Sequence, residues 1–407
     1  RWTWGLGGVI DFTNPKALLY WRELLEKPLS KGVDGFKVDD GWAFPKGGRT
    51  LRGEGPMENC RIYVEETFRY TVERTGGRGT TLSLPFTGRP ELTGMVWTGD
   101  EEPNFGPRGL KKAIERVLMA SEGGYPFVGS DIGGYLGEPD RRCFIRWAQF
   151  GAFCPLMETG GKGRHEPWEF DEETLRIFRF YSKLHAKLLP YIYTYAVIAH
   201  REGRPMIRRI EGGRYEYLFG EEILVAPIYD GGESRCVRLP EGRWIDFFNG
   251  EAIEGPAEVR VAAPLDKIPL FVRSGAIVPM EEGGWLELLV IPDGRSSFRM
   301  LDKGMEVEIR CCEEGDRVKL EVGGTFPYKG VTVRARWKRP GRVEVEDEGG
   351  RREVGFRYEG GEIVVEYHGS GPFKLLISDR SPAGIREEVK PCTWGEVKDK
   401  RRGGDEG

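Results

Sequence analysis

Apolar and polar residues along the first 200 positions follow two alternating periods. Apolar residues recur every three or four positions over 14–27, 58–75, 109–122, 139–148 and 171–200, which predicts helices there. Short apolar runs between them predict strands over 33–38, 80–85, 93–99, 125–131 and 150–158. Alternating strands and helices are typical of a parallel sheet, in an α/β barrel or a doubly wound fold. GxGxxG and GxxxxGK[ST] loops open none of these helices, which disfavours nucleotide-binding folds.

The pattern changes after about residue 205. Short apolar strands then alternate with glycine-rich turns, as in EILVAPIYDGG, and the alternation becomes plainer from about residue 286. Such a pattern predicts all-β, sandwich-like domains. We therefore divide the chain into a barrel region over 1–204, a proximal β domain over 205–285 and a distal β domain over 286–380. The charged, glycine-rich tail over 381–407 is expected to be loose.

Composition and charge exclude several classes of protein. The 407 residues carry a net charge of −4 with charges of mixed sign, which gives no footprint for nucleic acid. No apolar run is long enough to span a membrane. The seven cysteines form no CxxC pair, which argues against a zinc site and favours a reducing, cytoplasmic setting. The chain begins at Arg1, and we expect that start to be cut from something longer.

Acidic residues gather where the predicted strands end. Asp39 and Asp40 follow the first strand, and Asp100, Asp131 and Glu158 follow later ones. In an α/β barrel, the carboxyl ends of the strands form the active face. A pair of carboxyl groups there suits glycoside hydrolysis, in which one attacks the anomeric carbon and the other protonates the leaving oxygen.

Asp39 and Asp100 are the candidates for that pair. Lys37 beside Asp39 favours an ionised carboxylate, whereas the acid-rich neighbours Glu101 and Glu102 help to keep a proton on Asp100. We expect both glutamates to be solvated. Asp40 is either a pocket residue or a solvated neighbour. For a retaining enzyme, the two catalytic carboxyl groups are expected roughly 5–5.5 Å apart.

Aromatic residues near these acids are candidate platforms for the apolar faces of sugar rings. They are Trp42, Trp97, Phe105, Tyr135 and Trp168. Each has a packing alternative, and for Trp168 packing is the favoured one.

Taken together, the motifs resemble glycoside hydrolase family 31, the retaining α-glucosidase and α-xylosidase family. They are DFTNP (11–15), GVDGFKVD (32–39), WTGD (97–100), GYPFVGSDIGG (124–134), RW (146–147), EPWEF (166–170), LHAKLLPYIYTYA (184–196) and IPLFVRSGAIVP (268–279). Each motif alone is weak, but their number and order are specific to this family.

The resemblance implies a fold and a mechanism. It implies an α/β fold with a (β/α)8 barrel, followed by proximal and distal β domains. Asp39 is then the nucleophile, Asp100 the general acid/base, Asp131 the aspartate that binds sugar hydroxyls, and Trp97 a wall of the sugar subsite. The resemblance also implies a covalent glycosyl-enzyme intermediate, with neither a metal nor an organic cofactor.

Around the nucleophile, the sequence departs from the family pattern. Family α-glucosidases commonly carry W-x-D-M-N-E there, whereas this chain has Lys37 before the aspartate, as in the α-xylosidase and α-galactosidase branches. Trp42 replaces the glutamate of both versions. Leu84 stands where the family usually has an arginine, with Arg89 as a candidate substitute.

The segment after the last barrel strand departs as well. Instead of R-x-H, it offers Glu158 and, later, Arg164 and His165. His165 is either a substrate contact or the partner of a loop hydrogen bond. Asp131 can likewise cap the following turn as well as bind a hydroxyl. The pocket is therefore rebuilt around the catalytic pair, and specificity for glucose does not follow from the resemblance.

Only five barrel strands are predicted, so the first three strands and the family's N-terminal β domain are missing before Arg1. Either the chain is a fragment, or a separate chain completes it, or the remnant rearranges. The leading interpretation is a retaining exo-α-glycosidase acting on terminal glucose, xylose or galactose of an oligosaccharide or α-glycoside. An α-glucosyltransferase is a close alternative. A non-catalytic carbohydrate-binding or split-enzyme subunit is the alternative from another class, and a homo-oligomer stays open.

Overall fold

A computed structural model describes residues 8–40, 49–53, 55–85, 88–302 and 304–379. Trp42 and the tail over 381–407 lie outside these residues. The first region contains a four-stranded parallel sheet in chain order, with strands β1 (Gly35–Val38), β2 (Thr80–Ser83), β3 (Met95–Trp97) and β4 (Val128–Gly129). This order and direction are those of consecutive strands in an α/β barrel.

Six helices surround and follow this sheet in the described part of the chain. They are α1 (Pro15–Leu29), α2 (Pro56–Arg74), α3 (Leu110–Glu122), α4 (Arg141–Gly151), α5 (Glu172–Lys187) and α6 (Leu189–Glu202). Single helical turns also occur at Pro90–Leu92 and Pro167–Glu169. The five predicted helices begin within two residues of the starts of α1 to α5. For α6 no separate start was predicted.

Capping side chains explain several helix starts. The Asn14 side chain accepts a hydrogen bond from the Lys16 amide at 3.0 Å, and Pro15 occupies the first helical position. Asp140 and Asp171 cap α4 and α5 in the same way. The Asn14 cap therefore agrees with the helix start predicted at residue 14.

Two predictions about this region are wrong. The strand predicted over 150–158 is not formed, because α4 continues to Gly151 and turns follow it. Only a single parallel bridge joins Glu158 to Asp131, beside the end of β4. The helix predicted over 171–200 divides at Leu188, because Pro190 cannot donate the hydrogen bond that would continue α5.

The next sheet is the proximal sheet, and it is six-stranded. Its order is β5-β6-β7-β10-β8-β9, formed by Ile207–Arg209, Tyr217–Phe219, Ile223–Val225, Leu270–Arg273, Ser234–Asp246 and Ala252–Ala262 respectively. Buried Arg146 of α4 holds this sheet against the barrel region. Its guanidinium donates to the backbone carbonyls of Ala263 and Lys267 at 2.7 Å and of Gly232 at 2.9 Å.

Two further sheets form a distal sandwich. One has the order β11-β12-β16-β20-β19, from Ile277–Glu282, Trp285–Val290, Val331–Arg336, Glu362–Tyr367 and Arg357–Glu359. The other has the order β13-β14-β15-β21-β17-β18, from Arg295–Asp302, Met305–Glu314, Arg317–Val322, Phe373–Ser378, Arg342–Asp347 and Gly350–Glu353.

The sheet pairing bears on the division between the two β domains. Strand β11 pairs with β12, so it belongs with the distal strands although it precedes residue 286. The predicted domain limits themselves stay predictions. In the part of the chain that the structure describes, none of the helices is long and apolar enough to cross a membrane.

Candidate active site

The carboxyl ends of the parallel strands bring the predicted acids to one edge of the sheet. Asp39 follows β1 directly, Asp131 follows β4 after one residue, and Asp100 follows β3 after two. Glu158 joins them through its bridge to Asp131. Parallel strands end at the same edge, so these four side chains share one face of the barrel region.

Asp39 and Asp100 are the exposed members of this group. Partial desolvation raises the pKa of Asp100, and the charge of Asp39 raises it further. Such coupling requires the two carboxyl groups to lie within electrostatic reach of each other. Asp100 therefore keeps its proton more readily than an isolated aspartate does, partly because the carboxyl group of Asp39 lies nearby.

Asp40 adopts an uncommon backbone conformation. Its φ is +58°, and it is the only non-glycine residue with a positive φ among those that the structure describes. Its amide donates to Asp39 Oδ1 at 2.7 Å, while the Tyr63 hydroxyl donates to the Asp39 carbonyl at 3.3 Å. Burial raises the pKa of Asp40, and so do the charges of Asp39 and Asp100. Asp40 thus shapes the turn that presents Asp39 and shares its electrostatic environment.

Lys37 is a cation that lies among these acids. Its ammonium lies 4.3 Å from the centroid of the Trp97 ring, within range of a cation–π interaction. Its charge opposes the rise in the pKa of Asp100, Asp131 and Glu158. Lys37 therefore faces three of the edge carboxyl groups while resting on the predicted wall of the sugar subsite.

Asp131 and Glu158 are more deeply placed than the exposed pair. Burial raises the pKa of Asp131 to about 6, with Lys37 lowering it and Asp100 raising it. Burial raises the pKa of Glu158 to about 7, and the charge of Asp131 adds to that rise. Neighbouring acids that both have a perturbed pKa are typical of functional sites. We call the part of the sheet edge around Asp131, Glu158, Trp97 and His165 the recess.

Several buried polar atoms in this recess have no hydrogen-bond partner. They are the indole nitrogen of Trp97, Asp131 Oδ2, Glu158 Oε1 and both ring nitrogens of His165. Buried polar groups in folded proteins are almost always paired, because an unpaired one costs about 1–3 kcal/mol. Unpaired polar atoms on four neighbouring side chains therefore distinguish this part of the sheet edge from an ordinary buried core.

His165 belongs to the same recess. It is only 5% exposed, and its charge lowers the pKa of Asp131, which places the two side chains near each other. A Cβ atom on Gly161 would overlap the imidazole ring, and one on Gly133 would lie 3.3 Å from it. Gly161 and Gly133 thus leave the room that this ring occupies.

The predicted aromatic platforms have different environments. Tyr135 is half-buried, with the ammonium of Lys162 5.8 Å from its ring centroid. Phe105 is half-buried and packs against Gly231 of the proximal sheet's loops. Trp168 is 68% exposed.

Lys162 also lowers the pKa of Asp100, so Tyr135 and Lys162 lie at the Asp100 side of the recess. Phe105 packs against the core, and its part as a sugar platform stays a prediction. For Trp168 the favoured packing role is not supported, because its side chain is largely free.

Arg89, the candidate substitute for the family's arginine, and Arg164 of the later segment both form ion pairs with other residues. Arg89 pairs with Glu65 at 3.2 Å and with Glu91 at 3.4 Å. Arg164 pairs with Glu138 at 3.6 Å. Leu84 is buried.

The expectation that Glu101 is solvated is wrong. Its side chain is fully buried, and it accepts hydrogen bonds from Thr98 and Arg116. Burial raises its pKa to about 7, although the charge of Arg116 acts in the opposite direction. Its neighbour Glu102 is half-buried and pairs with Arg108. Sequence position alone could not show which of the two glutamates is buried, because Arg116, which donates to Glu101, lies on the following helix.

Comparison with known proteins places this chain in a family. The Glycosyl hydrolases family 31 TIM-barrel domain matches residues 1–195, and the Glycosyl hydrolase family 31 C-terminal domain matches residues 203–278. An isomaltosyltransferase from Sporosarcina globispora is 31% identical over 314 residues, which are 67% of this chain and 27% of that protein. An α-xylosidase from Saccharolobus solfataricus is 29% identical over 391 residues, which are 86% of this chain and 51% of that protein.

A solved structure shares the fold. The dextranase of Flavobacterium johnsoniae, complexed with glucose, has a TM-score of 0.81 at 25% identity, over 93% of this chain and 57% of that chain. The chain thus spans about a quarter to a half of the length of these two curated relatives. The predicted resemblance and the predicted fold class are confirmed. The chain belongs to glycoside hydrolase family 31.

Proposed function

We propose that this chain carries the catalytic pair of a retaining exo-α-glycosidase. Its substrate would be a terminal α-linked glucose, or a related sugar such as xylose or galactose, in an oligosaccharide or α-glycoside. The observation that carries the proposal is the coupling of Asp39 and Asp100 at one sheet edge, with a raised pKa on Asp100. An acid that keeps its proton beside an ionised carboxylate is the arrangement that glycoside hydrolysis requires.

The reaction proceeds in two displacements. In the first, a carboxylate oxygen of Asp39 forms a bond to the anomeric carbon while the glycosidic C–O bond breaks. The Asp100 proton goes to the departing oxygen. In the second, Asp100 removes a proton from water, and the water oxygen displaces Asp39 from the anomeric carbon. The two inversions together retain the α configuration of the released sugar.

The recess beside the pair supplies groups that can hold the sugar. Asp131 Oδ2, Glu158 Oε1 and the His165 ring are buried without partners, so a sugar's hydroxyl groups can pair with them. Trp97 and Lys37 form the adjacent wall. Tyr135 is a candidate rim contact, whereas the role of Trp42 stays a prediction from the sequence.

A transferase is the second candidate, because one relative is named an isomaltosyltransferase. The same glycosyl-aspartate would then pass to a sugar hydroxyl instead of water. A non-catalytic carbohydrate-binding subunit is the alternative suggested by the four-stranded sheet. We expect the first strands of the barrel to come from a preceding segment or a separate chain.

The test is a panel of 4-nitrophenyl α-glycosides of glucose, xylose, galactose and N-acetylgalactosamine. It is run on this chain alone and on the chain combined with a segment that supplies the first barrel strands. Turnover of one sugar that disappears in Asp39→Ala supports the glycosidase. Transfer to an added sugar acceptor, seen by product analysis, supports the transferase. No turnover by the completed assembly would favour the binding subunit.

A further inference from the structure

A buried carboxyl group lies directly beside the proposed acid/base. Glu101 follows Asp100 in the chain and is fully buried, whereas Asp100 is exposed. The mechanism proposed above gives Glu101 no chemical step. A buried ionisable residue at such a position costs stability unless its contacts compensate for it, so the contacts of Glu101 indicate what it does.

The side chain of Glu101 joins a strand to a helix. Its Oε2 accepts from the Thr98 hydroxyl at 3.1 Å, and its Oε1 accepts from Arg116 Nη1 at 3.1 Å. The same Arg116 nitrogen donates to the Thr98 carbonyl at 2.6 Å. Arg116 lies on α3, and Thr98 follows β3. These three bonds fix the backbone just before Asp100 to the helix just after it.

The backbone of Glu101 joins this segment to the loop after β4. Its carbonyl accepts from the Tyr135 amide at 2.9 Å and from the Leu136 amide at 3.0 Å. Gly134, with φ +79°, approaches so closely that a Cβ there would lie 2.9 Å from the Glu102 carbonyl carbon. Glu101 therefore also ties Asp100 to the segment that begins at Asp131.

Hydrogen bonds consequently hold the backbone on both sides of Asp100. On its other side, Gly99 has φ +96°, and a Cβ there would lie 3.3 Å from Arg116 Nη1. We propose that Glu101 is a positioning residue that holds the Asp100 carboxyl against the glycosidic oxygen. This inference rests on the proposed function. A positioning role matters because a displacement of about 1 Å in a catalytic group can cost about 10²-fold in rate.

The dependence on the leaving group distinguishes positioning from a general structural role. A methyl α-glycoside needs its leaving oxygen protonated, whereas an α-glycosyl fluoride departs with little help from an acid. The experiment measures kcat/KM on both substrates, for the sugar chosen by the 4-nitrophenyl panel. The proteins are the wild type, Glu101→Ala, Glu101→Gln and the control Glu122→Ala, each combined with the segment that supplies the first barrel strands.

Glu101→Ala is expected to lose about 10²-fold on the methyl glycoside and less than about fivefold on the fluoride. Glu101→Gln keeps an oxygen for Arg116 and should recover most of that loss. Glu122→Ala, whose partner is Arg209, should leave the ratio of the two substrates unchanged. Should Glu101→Ala fail to fold by circular dichroism, Thr98→Val carries the test, because it removes one donor to Glu101.

Three results would overturn the inference, and they differ in whether the proposed function survives. Equal losses on both substrates, or no loss on either, would leave the proposed glycosidase standing and remove the role of Glu101. A wild type that turns over neither substrate would remove the proposed function together with this role.

Discussion

Carboxylates at the barrel edge and in the distal sandwich have opposite environments. In the sandwich, Arg352 hydrogen-bonds Asp347 and lowers its pKa, and Lys374 does the same for Glu346. At the barrel edge, burial and like charges raise the pKa of Asp100, Asp131 and Glu158. The sandwich satisfies each of these charges locally, whereas the barrel edge leaves its acids facing one another.

This difference indicates which of the two regions carries a functional site. Surface ion pairs such as those of the sandwich contribute little free energy each and do not identify a function. Acids whose pKa stays raised although Lys37 and Lys162 oppose the rise are costly, and folded proteins retain such costs mainly at functional sites. The contrast therefore supports placing the substrate at the barrel edge and a structural role in the sandwich.

The largest expected effect comes from removing the proposed acid/base. Asp100→Ala should lower kcat/KM on a methyl α-glycoside by about 10²–10⁴-fold, because the leaving oxygen no longer receives a proton. Added azide should restore turnover of the α-glycosyl fluoride by replacing the water step. The matched change Glu346→Ala in the sandwich should stay within about twofold. Similar losses in both variants would contradict the functional difference between the barrel edge and the sandwich.

A pH-dependent stability test follows from the raised pKa of Glu158, about 7 against an ordinary 4.5. A carboxyl whose folded pKa is raised favours the folded state below the unfolded pKa, and that contribution is lost as pH rises through the folded pKa. The wild type should therefore lose about 1–3 kcal/mol relative to Glu158→Gln between pH 5 and pH 8.

Urea unfolding of both proteins at several pH values measures this difference. Glu346→Gln is the control, and it should show no relative change over the same pH range. A wild type and a Glu158→Gln variant with parallel pH curves would show that Glu158 is not held in the environment described.

The sequence predicts the sheet and its edge better than it predicts what is buried there. Strand ends at Asp39 and Asp100 follow from short apolar runs bounded by turns. The run FGAFCPLME was misassigned because a continuous apolar segment does not distinguish a buried strand from the end of a buried helix. Glu101 was misassigned because its burial depends on Arg116, 15 residues further on, and such a pairing is set by tertiary packing.

A smaller effect is expected where a glycine leaves room for His165. Gly161→Ala would place a methyl group against the imidazole ring and displace it. Loss of the hydrogen bond that we propose between His165 and the sugar should raise KM about tenfold. Gly371→Ala is a fitting control, because a Cβ there meets nothing within 4 Å. An unchanged KM in Gly161→Ala would favour the alternative of a loop role for His165.

The smallest effect is expected in the sandwich. Arg334 and Arg336 hydrogen-bond Glu362 and lower its pKa, although its burial acts in the opposite direction. A lowered pKa contributes stability above the unfolded value, and the contribution is lost as pH falls through the folded value. Glu362→Gln should therefore cost about 1 kcal/mol at pH 7 and less near pH 3, by urea unfolding. Turnover should not change, and a loss of turnover would link the sandwich to the site.

Trapping the covalent intermediate tests most directly whether Asp39 is the nucleophile. A 5-fluoro-α-glycosyl fluoride of the preferred sugar slows both displacements, while its good leaving group still permits the first. The account predicts one added glycosyl group per active protein, located by peptide mass spectrometry on Asp39. A label on another residue, or turnover that inverts the anomeric configuration without any label, would contradict it.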